Sequence, residues 1–214
     1  MSVERWRVSA SDPEADVLVR AAEAIRAGGV VVFPTDTLYG LAADPRSARA
    51  VESVFRLKGR PAAEPLPLVA ADVDQVERQA AVMSPLARRL AAAFWPGPLT
   101  LVLTASPALA PEVTAGTGTV AVRVPAHAVA RQLAALAGCP LTATSANRSG
   151  DPPADTAEAA AAGLEAGLSG ILDAGRTPGG APSTIVDARG DGPRLVRAGA
   201  IAFERVLASL ARKG

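Results

Sequence analysis

The sequence predicts an α/β fold, a single domain organised around a mixed sheet, and three observations support this prediction. Short apolar runs typical of covered strands alternate with segments whose apolar residues repeat at helical spacing. Neither a long linker nor an internal repeat interrupts this alternation. Hydrophobic residues make up 49% of the 214 positions and charged residues 20%, which is typical of a globular chain. One domain spanning residues 1–214 is therefore expected.

Proline, glycine and capping residues bound the predicted elements. Asp12 followed by Pro13 begins the first helix, because aspartate caps a helix N-terminus and proline fits its first turn. Gly59 can end the second helix in the left-handed conformation. Pro67 is awkward inside a strand ladder and indicates an edge. In chain order we predict strand 3–8, a helix from 12 to the glycines at 28–29, strand 30–33, helix 47–58, strand 66–70, helix 84–94, strands 99–103 and 120–124, helix 125–137, strand 140–143, helix 156–166, strands 171–173, 184–187 and 194–196, and helix 201–213.

Several common chemistries are excluded by residue content. Cys139 is the single cysteine, so no intramolecular disulfide can form, and we expect a reducing compartment and a buried thiol. His127 is the single histidine; it cannot form a zinc site with one cysteine, and a structural role at a helix start is expected. The chain contains no Gly-Lys dipeptide, so a P-loop is absent. We expect no dedicated metal ligands.

Charge and hydropathy restrict the partners. The net charge of +1 argues against a large basic face, although a local cluster of arginines remains compatible with it. No apolar signal segment opens the sequence, and no apolar stretch is long enough to span a bilayer. A cytoplasmic protein without a membrane partner is expected.

Four polar segments lie at predicted strand or helix ends. They are FPTDTLYG (33–40), KGRP (58–61), TATSANRSG (142–150) and GGAPST (179–184), and Arg123 and Arg197 add two cations near strand ends. Ligands of open α/β folds gather where such loops converge. Cations and hydroxyl or backbone donors without a nucleophile suit a polyphosphate together with a carboxylate. Such a site would act by positioning and charge neutralisation.

Each polar segment also has a structural interpretation. Lys58 and Arg60 could complement the negative end of a helix dipole, which contributes about 0.3–1 kcal/mol. The Ser, Thr and Asn loops could satisfy their own backbone in tight turns. Arg123 alternates with two valines, as a solvent-facing strand residue would. The residues alone leave both interpretations open.

Eight segments resemble, in order, those of the YrdC-like threonylcarbamoyl-AMP synthase family. They are GGVVVFPTDTLYGLAADP (28–45), LKGRP (57–61), WPGPLTLVL (95–103), TVAVRVP (119–125), TSANRSG (144–150), ILDAG (171–175), STIVD (183–187) and LVRAG (195–199). The resemblance implies a YrdC-like fold, a twisted open sheet with flanking helices and a concave, positively lined ligand-binding face. It also implies the short, single-domain bacterial form, with a matching core of about residues 15–200.

The same resemblance implies an activity. The expected reaction joins L-threonine, bicarbonate and ATP into L-threonylcarbamoyl-AMP and releases pyrophosphate, with magnesium accompanying ATP. This reaction is the first step of threonylcarbamoyladenosine formation in tRNA. A separate tRNA threonylcarbamoyltransferase would use the product, and weak contact with tRNA or double-stranded RNA is implied.

The family pattern also implies roles for individual residues. Thr37, Arg123, the backbone of Ala143, and Ser183 are expected to bind threonine, with Arg123 on its carboxylate. The residues expected on ATP are Lys58, Arg60, Thr119, Ser145, Asn147 and Arg197; Lys58 and Arg60 are the catalytic pair, and Asn147 is expected to hold its own loop. Two positions depart from longer members of the family, which have asparagine and histidine at the positions of Glu64 and Val69.

Two other functions are compatible with parts of the sequence. An RNA-binding or ribosome-maturation module could use the same concave face, although the net charge of +1 gives it little support. A hydrogenase-maturation-type relative is the second alternative. Its domain is usually embedded in a longer chain with zinc-binding cysteines, which this sequence lacks.

Overall fold

The computed structural model describes residues 3–59, 64–150 and 152–211. Its strands are β1 (Arg5–Arg7), β2 (Val31–Phe33), β3 (Gly40–Ala42), β4 (Leu68–Val69), β5 (Ala81–Val82), β6 (Leu99–Ala105), β7 (Thr119–Arg123), β8 (Leu141–Thr142), β9 (Thr144–Ser145), β10 (Gly170–Asp173), β11 (Thr184–Asp187) and β12 (Arg194–Arg197). Its helices are α1 (Ala15–Arg26), α2 (Ala48–Lys58), α3 (Val73–Gln75), α4 (Pro85–Phe94), α5 (Pro111–Thr114), α6 (Ala128–Ala137), α7 (Ala157–Ala161) and α8 (Phe203–Ala211). A π-helical turn, Val76–Ala80, follows α3. The predicted α/β class is confirmed.

The strands of the described residues are divided between two open, mixed sheets. The five-stranded sheet has the order β1-β10-β2-β3-β9, and the seven-stranded sheet has the order β12-β11-β6-β7-β4-β8, with β5 paired to β6. Parallel pairs, such as β10 with β2 and β11 with β6, occur beside antiparallel pairs, such as β2 with β3 and β6 with β7. The single mixed sheet expected from the sequence is therefore two sheets.

A short stretch of chain joins the two sheets. β8 belongs to the seven-stranded sheet and β9 to the five-stranded sheet, and only Ala143 separates them. The hydroxyl of Thr142 accepts a hydrogen bond from Ala43 N at 2.9 Å and donates one to Leu41 O at 2.8 Å. Thr142 is fully buried. Its side chain therefore fixes the end of β8 to the strand β3 of the other sheet.

The five-stranded sheet is covered on both faces. Alternate residues of β2 enter different cores: Val32 belongs to the larger core, and Val31 and Phe33 belong to the smaller one. Helices α1 and α6 supply the smaller core with Leu18 and Leu133 among others. This arrangement explains why the run at 30–33 is apolar at every position.

Cys139 is buried in the smaller core, as expected for a small hydrophobic residue. Burial is the main cause that raises the pKa of its thiol to about 12, and the nearby Asp44 carboxylate raises it further. The thiol is therefore protonated and inert at neutral pH.

The caps of α2 and α4 form as the sequence predicts, whereas that of α1 does not. Helix α1 begins at Ala15 with Glu14 at its N-cap and without a side-chain cap, so Asp12 and Pro13 lie before the helix. The Ser47 side chain accepts from Ala50 N at the start of α2, and Gly59 ends that helix with a left-handed φ of 60°. The Ser84 side chain accepts from Ala87 N, and Pro85 occupies the first turn of α4. These local signals place both helices to within one residue of the predicted bounds.

Pro67 does not mark an edge strand, contrary to the prediction. β4 lies inside the seven-stranded sheet, between β7 and β8. Pairing begins at Leu68, one residue later, so the ladder needs no N–H from Pro67. The Pro67 carbonyl instead accepts from Ala143 N at 2.8 Å.

Two other predicted helices are also shorter in the structure. The helix expected over 125–137 begins at Ala128, with His127 at its N-cap. The helix expected over 156–166 ends at Ala161, because Gly163 adopts a left-handed φ of 73°, and a single 3₁₀ turn, Glu165–Gly167, follows. Among the described helices, none is long and apolar enough to cross a lipid bilayer.

We predict that Thr142→Val lowers the free energy of unfolding by about 1–3 kcal/mol, because Ala43 N loses its acceptor in the buried joint between the sheets. Chemical denaturation measures the change. Thr142→Ser should restore most of the stability, and Thr104→Val, the same change at an exposed position of β6, should shift it by less than about 0.5 kcal/mol. A Thr142→Val protein as stable as the wild type would contradict the role of this hydroxyl.

Candidate functional site

A cavity of about 560 Å³ opens where the two sheets meet. The five-stranded sheet contributes the β2–β3 loop and β9, and the seven-stranded sheet contributes β4, β6, β7, β11 and β12. The cavity is lined by Thr35, Thr37, Leu38, Tyr39, Gly40, Pro65, Pro67, Leu68, Val69, Thr100, Ala121, Arg123, Ala143, Thr144, Ser145, Pro153, Pro182, Ser183, Ile185 and Arg197.

The cavity brings together six of the residues predicted from the sequence. They come from five segments and are Thr37, Arg123, Ala143, Ser145, Ser183 and Arg197. Lys58, Thr119 and Asn147 lie outside its lining. Arg60 lies outside the described residues. The segments that looked polar in the sequence therefore converge on one site, although not every residue in them faces it.

The PTDT segment forms the loop between β2 and β3. The Thr35 hydroxyl accepts from Thr37 N and Leu38 N, both at 3.2 Å, and donates to Leu38 O at 2.7 Å. Thr35 is buried, and its hydroxyl also contacts that of Thr37 at 3.1 Å. Thr35 thus folds the loop internally, which leaves Thr37 as a hydroxyl on the cavity wall.

A second loop, residues 174–180, is fixed against the PTDT loop. Gly179 N and the Thr177 hydroxyl both donate to Thr37 O at 3.0 Å. The Tyr39 hydroxyl donates to Gly175 O at 2.6 Å. Burial raises the pKa of Tyr39 to about 12, so this donor is retained at neutral pH. The PTDT loop, which lines the cavity, is therefore held by a second loop that does not itself belong to the lining.

Four residues of the cavity lining form one row across the seven-stranded sheet, and three of them are polar. Arg197 of β12 pairs with Ile185 of β11, which pairs with Thr100 of β6. Leu101 of β6 pairs with Val122 of β7. Because these strands are antiparallel, the neighbouring pair in the ladder is Thr100 with Arg123. Strand register therefore places the two arginines, which are far apart in sequence, on one line across the sheet.

Ser183 connects the members of this row. Its hydroxyl lies 2.8 Å from the Thr100 hydroxyl, and an Arg197 Nη donates to Ser183 O at 2.8 Å and to the Ser183 hydroxyl at 3.2 Å. Sequence reasoning missed Thr100, because a threonine inside an apolar strand carries no distinguishing signal.

The two arginines create a positive site. Burial lowers the pKa of Arg197, and repulsion from the Arg123 guanidinium lowers it further. An Nη of Arg123 lies 2.5 Å from Asp36 Oδ1, and only 9% of the Arg123 side chain is exposed. Asp36 is a further residue that the sequence analysis did not assign to the site, although it lies within the PTDT segment. A bound anion would relieve the repulsion between the arginines.

Lys58 lies outside the cavity lining but bonds the segment that carries Ser145. Its ammonium group is buried and donates to Ser145 O at 2.7 Å and to Asn147 O at 2.8 Å. Ser149 N donates back to Lys58 O at 2.9 Å. Asn147 Nδ2 donates to Arg148 O at 3.0 Å, as expected for a residue that holds its own loop. Lys58 therefore does more than complement the dipole of α2, because it bonds carbonyls of a different segment.

Thr119 lies along the same sheet face as the cavity. It precedes Ala121 and Arg123 by two and four residues on β7, and side chains at this spacing share a face. Its hydroxyl contacts that of Thr117 at 2.9 Å. A ligand extending from the cavity along β7 would reach it.

The polar groups that line the cavity suit anion binding. His127 is absent from the lining, and burial lowers its pKa although the Asp36 carboxylate opposes this shift. No group of three or more His, Cys, Asp or Glu residues in the described part of the chain could hold a metal ion. The arginines and hydroxyls that line the cavity can orient carboxylate and phosphate groups.

The chain is similar to known proteins over most of its length. The family model Sua5_yciO_yrdC, described as "Telomere recombination", matches residues 23–199. The threonylcarbamoyl-AMP synthase of Bacillus subtilis (strain 168) is 40% identical over 213 residues, which cover 96% of this chain and 61% of the relative. The threonylcarbamoyl-AMP synthase of Pyrococcus abyssi (strain GE5 / Orsay) is 39% identical over 204 residues, covering 95% of this chain and 57% of the relative.

A solved structure shows the same fold. The crystal structure of P. abyssi Sua5 complexed with L-threonine matches with a TM-score of 0.90 and 38% identity, covering 99% of this chain and 61% of that chain. The chain spans less than two thirds of the length of both curated relatives.

We predict that Lys58→Met lowers the free energy of unfolding by about 1–3 kcal/mol, because the Ser145 and Asn147 carbonyls lose a charged donor. Chemical denaturation measures the loss, and hydrogen exchange should be faster in residues 144–150. Arg56→Met, an exposed cation of the same helix, is the matched control and should change stability by less than about 0.5 kcal/mol. If both variants behave alike, Lys58 does no more than complement the helix dipole.

Proposed function

The chain belongs to the Sua5/YciO/YrdC family, and from this premise we propose that it joins L-threonine, bicarbonate and ATP into L-threonylcarbamoyl-AMP and releases pyrophosphate. One observation carries the proposal: a single cavity gathers Thr37, Arg123, Ser145, Ser183 and Arg197 from separate segments. The similar P. abyssi structure is a complex with L-threonine, which supports an amino acid as one ligand. That the 214 residues act as one domain is part of the proposal.

The threonine side is assigned to the sheet junction. Arg123 would bind the carboxylate, since a guanidinium offers parallel N–H donors that match two carboxylate oxygens. Thr37 and Ser183 would offer hydroxyls, and Ala143 would offer backbone at the crossing between the sheets. All four line the same cavity, which supports a compact ligand held from several directions.

The nucleotide side is assigned to the other cations and hydroxyls. Arg197 and Ser145 line the cavity, and the buried Lys58 ammonium donates to Ser145 O at 2.7 Å, so its positive charge would favour a phosphate bound near Ser145. Asn147 would act through the same loop. Thr119 would meet a nucleotide that extends along β7, and Arg60 belongs to this proposal from the sequence resemblance alone.

The proposed reaction needs no general base from the protein. The neutral amine of threonine condenses with bicarbonate to an N-carboxylate and releases water. An oxygen of this N-carboxylate attacks the α-phosphorus of ATP, the bond from the α-phosphorus to the bridging oxygen of the β-phosphate breaks, and pyrophosphate leaves with that electron pair. Negative charge grows on the leaving group, and the cations stabilise it. Because no metal-binding cluster is found in the described residues, magnesium would enter bound to the triphosphate, where it neutralises charge. A tRNA threonylcarbamoyltransferase would take up the product.

We predict that purified protein releases pyrophosphate only when ATP, L-threonine, bicarbonate and magnesium are all present, because the nucleophile forms only from threonine and bicarbonate. Coupled detection of pyrophosphate measures the rate. Equal release without threonine would contradict the proposal. Salt-sensitive RNA binding without any turnover would favour the RNA-binding alternative.

We predict that Arg123→Ala raises the KM for threonine by about 100-fold and the KM for ATP by less than about threefold, because the carboxylate loses its charged partner. Arg123→Lys should recover part of the loss, since it restores charge without the planar fork. Arg78→Ala, at an exposed surface pair, is the control and should match the wild type. Similar losses for both substrates would refute the assignment of Arg123 to threonine.

A further inference from the structure

Asp36 contacts the cavity's central arginine from outside the cavity. Arg123 belongs to the lining, as do Thr35 and Thr37 on either side of Asp36, whereas Asp36 does not. One Nη of Arg123 donates to Asp36 Oδ1 at 2.5 Å. A ligand carboxylate could therefore approach Arg123 from the cavity without displacing Asp36.

We propose that Asp36 is a positioning residue, which fixes the guanidinium plane of Arg123 so that its remaining N–H donors face the carboxylate of the amino-acid substrate. This inference rests on the proposed function for the identity of that substrate. The geometry itself is independent of the substrate, because it joins a residue of the β2–β3 loop to the last residue of β7.

The loop that carries Asp36 is rigid enough for this role. Thr35 accepts from two backbone N–H groups of the loop and donates to a carbonyl, so the backbone around Asp36 is fixed by local bonds. Thr37 O receives two further bonds from residues 177 and 179. A carboxylate on such a loop can hold a buried guanidinium in one orientation, whereas a long arginine side chain alone would sample several.

A second interpretation makes the opposite prediction. If Asp36 only balanced charge, its removal would leave the repelling Arg123 and Arg197 guanidinium groups uncompensated, and the cavity would attract a carboxylate more strongly. His127 also interacts with the Asp36 carboxylate. Burial lowers the pKa of His127, so at neutral pH its imidazole is uncharged and cannot replace the charge of Asp36 or Arg123. The direction of the change in substrate affinity therefore separates positioning from charge balance.

The test measures KM for L-threonine and for ATP in Asp36→Ala, Asp36→Asn and Asp74→Ala, with thermal unfolding to establish that each variant is folded. Asp36→Ala should raise the KM for threonine about tenfold or more and leave the KM for ATP within about twofold, because a charge-assisted bond that orients only the amino-acid side is lost. Asp36→Asn, which keeps an acceptor without the charge, should raise it about threefold. Asp74→Ala removes a carboxylate from an exposed pair with Arg78 and should match the wild type.

Each outcome decides the proposal. A threonine KM that falls or stays unchanged in folded Asp36→Ala overturns it, and if that variant does not fold, the same result in Asp36→Asn does so. A second readout needs no turnover: ¹⁵N NMR of the guanidinium groups should resolve separate Nη signals for Arg123, identified by their loss in Arg123→Lys, and these should average in Asp36→Ala. Averaged signals in the wild type overturn the positioning role. A wild type without pyrophosphate release would refute the proposed function while this NMR comparison still decided the role of Asp36.

Discussion

The chain from Leu141 to Ser145 belongs to both sheets, and the site depends on this constraint. Because β8 and β9 are separated by one residue, the two sheets cannot diverge at this point. The buried Thr142 hydroxyl fastens the crossing to β3. The cavity forms beside the crossing, with Ala143, Thr144 and Ser145 in its wall. The architecture of the joint therefore sets the position of the binding groups.

Buried positive charge is stabilised here by partners from other elements. Lys58, at the end of α2, is compensated by carbonyls of the 145–147 loop, and Arg123, at the end of β7, by Asp36. A buried charge without such a partner would cost several kcal/mol. These contacts hold the loops in place before any ligand arrives, so the cost of ordering the site is met during folding rather than binding.

The sequence predicts the local elements better than their assembly. Ser47, Gly59 and Ser84 mark helix ends because capping depends on neighbouring residues only. The two-residue strands β8 and β9 carry no periodicity, so the division into two sheets was not predictable. For the site, the polar segments identify which loops converge. They do not show that Thr35 and Thr37, which both line the cavity, differ in role. Only the Thr35 hydroxyl bonds the loop backbone, and that difference arises from hydrogen bonds made in three dimensions.

The bonds that tie residues 177 and 179 to the β2–β3 loop end on the main-chain carbonyl of Thr37 rather than on its hydroxyl. The side chain at this position is thus uncoupled from the fastening of the two loops. Evolution or engineering can alter the side chain that residue 37 presents to the cavity while the bonds between the two loops are kept, so ligand preference and loop order can change independently.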